Sequence, residues 1–171
     1  LGNSEAFIGA MKTHMRSLHM SALQSAMNEL SNHDHSRFLT RTNHKVGRIS
    51  YAGAEAASEG VNPAVMREAV AIQMTWPGAP TVYYGDEAGL CGFTDPDNRR
   101  TYPWGREDYQ MIDFHRVMIR IHKNYEVLKT GSLGFLWNDY QGLCYARFSR
   151  KEQMIVIINN QAESRDVEIQ L

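Results

Sequence analysis

Apolar residues recur at helical spacing in three stretches of the chain, and each stretch predicts an α-helix. Asn3 or Ser4 can cap the first helix. Its expected apolar face consists of Phe7, Ala10, Met11, His14 and Leu18. A second helix begins at Asn62-Pro63, since proline is tolerated at the first helical position, and Pro77-Gly78 ends it. Its expected apolar face consists of Val65, Ala69, Ile72 and Trp76.

The pattern predicts a third helix from about Glu107 to Leu128. Its expected buried stripe consists of Met111, Phe114, Val117, Met118, Ile121, Tyr125 and Leu128. Two short strands are predicted between the helices, at Ala26 to Leu30 and at the β-branched and aromatic run Thr81 to Tyr84. Residues 85–106 hold glycine, proline and charge without periodicity, and a loop of that length in a compact domain is usually functional.

After Gly131 the apolar period changes from helical to alternating, which predicts an antiparallel sheet. Cys144, Ala146 and Phe148 share one face, residues 154–158 form a continuous apolar strand, and residues 167–171 alternate again. We place a domain boundary near Lys129 to Ser132, so that residues 1–130 form one domain and residues 131–171 a second.

Polar side chains follow each of the two predicted strands at the point where the strand ends. Asn32-His33-Asp34 follows the first strand, and Gly85-Asp86-Glu87 follows the second. Two carboxylate-bearing strand ends separated by a helix are typical of one sector of a β/α barrel. Two strands cannot close an eight-stranded barrel, and three strands make a poor free-standing sheet. We therefore expect both domains to continue outside this sequence.

The composition is that of a globular protein and excludes several partners. Of the 171 residues 43% are hydrophobic and 22% are charged, and the net charge of −1 gives no reason to expect nucleic acid or an anionic membrane as a partner. No apolar stretch approaches the ~18 residues that a membrane span requires. Two cysteines, Cys91 and Cys144, are too few for a disulfide framework, which favours a reducing compartment and a cytoplasmic location.

The cluster of His33, Asp34 and His35, with His44 nearby, is open to a metal-binding interpretation. In an extended segment His33 and His35 point the same way, and neutral imidazoles suit zinc. A catalytic zinc site needs three protein ligands and an open position, and no cysteine pair or second close carboxylate completes the set.

A sugar-processing interpretation explains more of the same residues. A carboxylate beside an imidazole can hydrogen-bond the vicinal hydroxyls of a sugar and hold its ring distorted. Trp76, Tyr83, Tyr84, Tyr102 and Trp104 are available as apolar platforms, although Trp76 and Tyr83 are expected to pack in the core. Residues 94–100 carry both charge signs among turn formers, which is typical of a solvated turn with surface ion pairs.

These motifs resemble the α-amylase clan, the retaining glycoside hydrolases of family 13. The run from Leu30 to Asp34, Leu-Ser-Asn-His-Asp, is similar to the family's motif at the end of the seventh barrel strand. The run from Pro77 to Gly89 is similar to the Gly-x-Pro-x-x-Tyr-Tyr-Gly-x-Glu-x-Gly motif of the eighth strand. Residues 85–104 are similar to the neopullulanase, cyclomaltodextrinase and maltogenic amylase branch.

The resemblance implies an α/β fold, namely the C-terminal portion of a (β/α)8 barrel followed by the start of an antiparallel β domain. It implies that Asp34 is the transition-state-stabilising carboxylate and that His33 hydrogen-bonds the same sugar. Asp95 and Arg99 would line the neighbouring donor-side subsite. Glu87 would brace its loop through Arg99 or Arg100 or else contact the substrate. The nucleophile and the general acid/base would both lie before Leu1.

From the resemblance we expect the parent protein to hydrolyse α-glucosidic bonds in maltodextrins, cyclodextrins or pullulan with retention of configuration, and the isolated chain to be inactive. No cofactor is expected in this segment, and calcium would belong to the upstream part. The expected partner is an α-glucan oligosaccharide, and a homo-oligomer stays open. Two alternatives remain: a non-catalytic glycan-binding or scaffold protein, and a metal-dependent hydrolase using His33, Asp34 and His35.

Overall fold

The structure is a computed structural model that describes residues 3–169. Its α-helices are α1 (Ser4–Arg16), α2 (Met20–Ser25), α3 (Phe38–Arg41), α4 (Ile49–Ala52), α5 (Pro63–Thr75), α6 (Tyr109–Asn124) and α7 (Glu126–Thr130). Its strands are β1 (Met27–Glu29), β2 (Ala79–Thr81), β3 (Ser132–Asn138), β4 (Gly142–Phe148) and β5 (Gln153–Asn159). Short 3-10 turns lie at Glu55–Ala57, Asp86–Ala88 and Asp97–Arg99. None of the described helices is both long and apolar enough to cross a membrane.

The described chain divides into two compact units. The sheet unit comprises residues 3–27, 75–79 and 122–169, and the loop unit comprises residues 28–74 and 80–121. The predicted boundary between residues 130 and 131 stays a prediction.

The sheet unit contains the predicted antiparallel sheet, in the order β3-β4-β5. Because β4 is central it is buried along six of its seven residues, and Tyr145 and Cys144 are fully inaccessible to water. Trp76 packs edge-on against Tyr145, with 5.3 Å between the ring centroids. Trp76 is therefore a core residue, as the sequence predicts.

The strand predicted at residues 167–171 is wrong for residues 167–169, which form no strand; Leu171 lies outside the described residues. The segment is held instead by Arg165, whose guanidinium pairs with Asp139 and stacks over Trp137 at 4.7 Å. Alternating polarity alone does not form a strand where no neighbouring strand supplies backbone hydrogen bonds.

The loop unit is built around a core of buried apolar side chains from α3, the Glu55–Ala57 turn, α5, α6 and the loop after β2. This core consists of Leu39, Ala57, Met66, Val70, Met74, Cys91, Phe93, Met111 and Met118. The predicted second helix is confirmed as α5. Its buried apolar positions are Met66, Val70 and Met74, whereas Val65, Ala69 and Ile72 are half-buried. The helix is apolar on more than one face, so helical spacing alone does not identify the buried one.

Other helix faces were also misassigned. Asn3 caps α1 as predicted, its Oδ1 accepting from the N–H of Ala6 at 2.9 Å. However, Ile8 is buried in α1 while Ala10 and His14 are exposed.

The third predicted helix is interrupted at Tyr125, which separates α6 from α7. Val117 and Tyr125, both predicted to be buried, are exposed, and His115 is buried instead. The Nδ1 atom of His115 lies 2.9 Å from the carbonyl oxygen of Met111, which satisfies one polar atom of this buried ring.

Strands β1 and β2 form a two-stranded sheet. The predicted strand at Thr81 to Tyr84 is displaced, because β2 ends at Thr81 and the two tyrosines lie in the loop that follows. The chain leaves β1 into residues 31–37 and leaves β2 into residues 82–86. These two exits carry the candidate site.

Candidate functional site

His33 and Asp34 form an exposed pair just beyond the end of β1. His33 Nε2 lies 3.5 Å from Asp34 Oδ1, and the two side chains are 62% and 66% exposed. The loop is shaped by Asn32, whose Oδ1 accepts from the N–H groups of Asp34 at 2.9 Å and His35 at 3.1 Å. Asparagine readily forms such turns with the backbone that follows it. The carboxylate and imidazole are therefore presented to solvent from a backbone that is locally fixed.

Asp95 and Arg99 form a second exposed pair, in the long loop after β2. Arg99 Nε lies 2.5 Å from Asp95 Oδ1, and the arginine and the aspartate are 48% and 53% exposed. The 3-10 turn Asp97–Arg99 presents Arg99. The pair can offer both a donor fork and acceptor oxygens to a polyhydroxyl ligand.

Asn98 ties the two loops together within the loop unit. Its side chain is fully buried, and its Nδ2 donates to the carbonyl oxygens of Asn32 at 3.1 Å and His35 at 2.8 Å. The turn that carries Arg99 is thereby bonded to the segment that carries His33 and Asp34. The structure thus places the four residues predicted for the site on two loops that the Asn98 side chain connects.

Arg37, also fully buried, bonds to three separate segments. Its Nε donates to the carbonyl oxygen of Asn98 at 2.9 Å, and its Nη1 donates to the carbonyl oxygen of Tyr84 at 2.8 Å. Nη1 also pairs with Asp86 Oδ1 at 2.9 Å. The backbone N–H of Arg37 donates to the carbonyl oxygen of Gly92 at 3.0 Å. Arg37 therefore connects the exit of β2, the Gly92 segment and the Asp97–Arg99 turn.

Asp86 and Glu87 serve the scaffold of the site. Burial raises the pKa of Asp86, although a hydrogen bond from Ser31 and the charge of Arg37 both act to lower it. Glu87 Oε2 accepts from the N–H of Gly85 at 2.9 Å, which is a bracing contact to the backbone. With Asp86 almost wholly withdrawn from water, its carboxylate is committed to Arg37.

The turn at residues 94–100 is not simply a solvated turn, contrary to expectation. Asp97 is buried, accepts from the N–H of Phe93 at 2.7 Å and pairs with Arg100 Nε at 2.8 Å. Within the turn, Asp95, Pro96 and Arg99 have the exposure that the prediction assigned to all of it. The buried carboxylate of Asp97 therefore has both a backbone and a charged partner, which is the condition for burying it at tolerable cost.

The aromatic residues proposed as platforms have different environments. Tyr102 and Trp104 contact each other with ring centroids 4.5 Å apart, and Trp104 is 79% exposed. Tyr84 is exposed, and its hydroxyl donates to the carbonyl oxygen of Arg100 at 2.8 Å. Tyr83 is half-buried, and its ring lies 4.5 Å from the guanidinium carbon of Arg37. Tyr84, Tyr102 and Trp104 are thus the members of the set, within the loop unit, with ring surface suited to a pyranose face.

The metal-binding alternative lacks a ligand set in residues 3–169. Within that range no group of three or more histidine, cysteine, aspartate and glutamate side chains is placed to hold an ion. His33 and Asp34 form a pair with each other, and among the described residues they and His35 do not form a group that could hold an ion.

Neither Arg37 nor Asn98 is predicted as a site residue from the sequence, although both hold the loops of the site in place. Arg37 lies three residues after Asp34 in a polar stretch, and Asn98 lies in a run that composition assigns to the surface. The pattern of polar residues does not distinguish a buried arginine that bonds to several segments from a solvated one, because the difference depends on partners distant in sequence. Tyr84 and Asp86 are 47 and 49 residues from Arg37.

The chain is similar to several known proteins. Residues 3–166 match the family model described as the alpha amylase catalytic domain. The chain is 33% identical over 163 residues to an amylopullulanase of Thermoanaerobacter thermohydrosulfuricus, covering 85% of the chain and 10% of that protein. It is 34% identical over 154 residues to neopullulanase 2 of Thermoactinomyces vulgaris, covering 88% of the chain and 23% of that protein.

A solved structure of a debranching enzyme from Nostoc punctiforme has a similar fold, with a TM-score of 0.79 and 27% sequence identity. The match covers 99% of this chain and 31% of the debranching enzyme. The chain therefore spans less than a third of the length of each of these three proteins. The expected fold class, part of a (β/α)8 barrel followed by an antiparallel sheet, is confirmed.

Proposed function

The chain belongs to the α-amylase family, and on that premise we propose that it forms part of an enzyme that hydrolyses α-glucosidic bonds with retention of configuration. The observation that carries the proposal is the exposed His33–Asp34 pair, held at the exit of β1 by backbone hydrogen bonds. The relatives support an α-glucan as the substrate, since an amylopullulanase and a neopullulanase are among them. Maltodextrins, cyclodextrins and pullulan are the substrates we propose to test.

In this proposal Asp34 stabilises the transition state. Cleavage of a glycosidic bond passes through an oxocarbenium-like state in which the ring is distorted and the hydrogen bonds to its hydroxyls strengthen. A carboxylate with free oxygens can accept from two vicinal hydroxyls, and Asp34 is exposed enough to do so. His33, beside it, donates to or accepts from the same sugar. Interactions that strengthen in the transition state raise the rate of the chemical step.

Asp95 and Arg99 are proposed to bind the neighbouring sugar on the donor side. The guanidinium offers several N–H donors and the carboxylate only acceptors. The pair can therefore bond to sugar hydroxyls that accept a hydrogen bond and to those that donate one. Their exposure leaves both groups accessible to a ligand.

Retaining hydrolysis also requires two carboxyl groups about 5–5.5 Å apart, one as nucleophile and one as general acid/base. Asp86 is bonded to Arg37 and buried, and Glu87 braces the Gly85 N–H, so we assign neither role to them. We propose instead that residues of the parent protein preceding Leu1 supply both groups, as the family resemblance implies. On this proposal the 171-residue chain alone releases no reducing sugar.

The first test is to sequence the natural gene upstream of Leu1 and to assay the full-length product on cyclodextrin and pullulan. Asp34→Asn should lower kcat by more than about tenfold, because contacts to developing charge are worth several kcal/mol. Asp113→Asn is the matched control, since Asp113 is 70% exposed, pairs with Arg116 and lies on α6. A loss below tenfold for Asp34→Asn, or an equal loss in the control, contradicts the role of Asp34.

The same experiment distinguishes the glycan-binding alternative. A full-length product that binds maltohexaose but releases no reducing ends would be a binding or scaffold protein. A full-length product with an upstream aspartate and glutamate and measurable turnover supports the hydrolase.

A further inference from the structure

We propose that Asn98 and Arg37 are positioning residues, which together set the location of the Asp34 carboxylate relative to the Asp95–Arg99 pair. This inference rests on the proposed function for its catalytic consequence. Its structural part, that Asn98 clamps the loop carrying His33 and Asp34, can be tested without any activity.

The clamp has two attachment points, one on each side of the His33-Asp34 dipeptide. The Nδ2 group of Asn98 donates one hydrogen bond to the carbonyl oxygen of Asn32 and one to that of His35. The side chains of His33 and Asp34, which lie between these points, are more than half exposed. The backbone bonds are therefore what fixes the direction in which Asp34 points.

The orientation of the Asn98 amide follows from its acceptors. Both groups facing it from the 32–35 loop are carbonyl oxygens, so only the NH2 end of the amide can satisfy them. The Oδ1 atom of Asn98 is buried without a partner among the described residues. Leaving a buried amide oxygen without a partner costs free energy. We infer that the two hydrogen bonds to the 32–35 loop are the main contribution of this side chain.

Arg37 holds the clamp itself. Its Nε bonds to the carbonyl oxygen of Asn98, and its Nη1 bonds to both the Tyr84 carbonyl oxygen and the Asp86 carboxylate. Arg37 lies only three residues after Asp34. Residues 32–37 are therefore held at one end by the bonds from Asn98 and at the other by the bonds from Arg37 to Tyr84 and Asp86. A group must be held close to its productive geometry, because a displacement of about 1 Å can cost about a hundredfold in rate.

The structural test is amide hydrogen exchange of the peptide containing Asp34 and His35, measured on the natural full-length protein. Asn98→Asp keeps the shape of the side chain but places a carboxylate against two carbonyl oxygens. We expect exchange in this peptide to accelerate by about tenfold or more. Asn43→Asp is the matched control, because Asn43 Nδ2 likewise donates to two carbonyl oxygens, those of Ala56 and Glu59. The control should leave the Asp34 peptide unchanged.

The functional test separates kcat from KM on pullulan. We expect Asn98→Asp to lower kcat by about tenfold to a hundredfold with a much smaller change in KM, because the misplaced carboxylate chiefly affects the transition state. Asn43→Asp should keep both constants within about twofold, as expected for a residue distant from the chemistry. Equal effects of the two variants on exchange and on kcat would overturn the proposal.

If Asn98→Asp does not fold, Arg37→Lys takes its place, since lysine keeps the charge facing Asp86 but loses the Nε donor to Asn98. Its control is Arg147→Lys, another fully buried arginine, whose partners are the carbonyl oxygens of Thr75 and Gly131 in the sheet unit. Faster exchange at Asp34 in Arg37→Lys alone supports the clamp, and unchanged exchange refutes it. Faster exchange in an enzyme without turnover on any glucan would retain the clamp and reject the proposed function.

Discussion

Arg37 Nη1 and Asp86 Oδ1 lie 2.9 Å apart in an ion pair whose side chains are only 0% and 5% exposed. The carboxylate also takes a hydrogen bond from Ser31, and the guanidinium lies within 5 Å of two tyrosine rings. An ion pair in such surroundings gains strength from the low local dielectric but must also offset the desolvation of both charges. Removing one partner of the pair therefore lowers the free energy of unfolding far more than the small net contribution of the intact pair would indicate.

Arg37→Met should therefore lower the free energy of unfolding by about 3–5 kcal/mol, because it leaves Asp86 as an uncompensated buried charge. Urea denaturation of the variant and the parent at neutral pH measures the difference. Lys45→Met provides the control, since Lys45 pairs with Glu59 at 2.6 Å but both side chains are about half exposed. The control should cost less than about 1 kcal/mol. Similar losses in the two variants would show that burial of the Arg37 pair is not what matters.

The pKa of Asp86 should lie above the usual range of aspartate, since burial disfavours its charged form. Arg37→Met and Ser31→Ala should each raise that pKa further, because both remove a group that stabilises the carboxylate. Carboxyl chemical shifts followed by NMR during a pH titration measure all three values. A downward shift in either variant would contradict this account of the site.

The raised pKa has a defined effect on stability. Between the ordinary aspartate pKa of about 4 and the raised folded value, the native chain retains a proton that the unfolded chain has released. The contribution of Asp86 to the free energy of unfolding therefore falls as pH rises through that window and then levels off. Unfolding of the unsubstituted protein and of Asp86→Asn should be measured across this pH range. The free energy of unfolding of the unsubstituted protein minus that of Asp86→Asn should fall as pH rises, and a rise would contradict the raised pKa of Asp86.

The sequence predicted the elements whose signals are local. Asn3 and Asn62-Pro63 mark the starts of α1 and α5, and the change to period two after Gly131 marks the antiparallel sheet. Buried faces were harder to predict. In α5 Val65 and Met66 are adjacent and both apolar, and only packing against α6 and the loops decides that Met66 is the buried one.

For the candidate site, the residue pattern pointed to His33 and Asp34, and the family resemblance added Asp95 and Arg99. Neither pointed to the residues that hold these groups. Exposed carboxylates and imidazoles after a strand are visible in the pattern itself. Asn98 is buried and donates to the carbonyl oxygens of Asn32 and His35, which are more than sixty residues away along the chain. No local pattern encodes such a partnership.

Gly92 should tolerate no side chain. A Cβ atom there would overlap the carbonyl oxygen of Asp97 and come within 2.9 Å of Asn98 Cα, so alanine would push the Asp97–Arg99 turn outward. Gly92→Ala should cost about 1–3 kcal/mol of stability. Gly9→Ala is the opposite control, because Gly9 lies inside α1 with no atom within 4 Å of its would-be Cβ. Gly9→Ala should raise the free energy of unfolding by about 0.5–1 kcal/mol.

Thermal unfolding of the two variants measures both effects. Unchanged stability of Gly92→Ala would contradict the close packing of this turn.

Arg99→Leu separates ligand binding from folding. The Asp95–Arg99 pair is about half exposed, so its loss should change the free energy of unfolding by less than about 1 kcal/mol. If Arg99 bonds to a sugar hydroxyl, the same change removes a charge-assisted hydrogen bond and should raise KM for pullulan about tenfold in the full-length protein.

Arg116→Leu is the matched control for that experiment, since Arg116 forms an exposed pair with Asp113 at 2.8 Å on the surface of α6. It should alter neither stability nor KM appreciably. Because both variants lose one exposed arginine and one ion pair, a general effect of net charge on glucan binding would appear equally in the two. A rise in KM confined to Arg99→Leu assigns the donor-side contact to that residue, and equal KM values would remove Arg99 from the site.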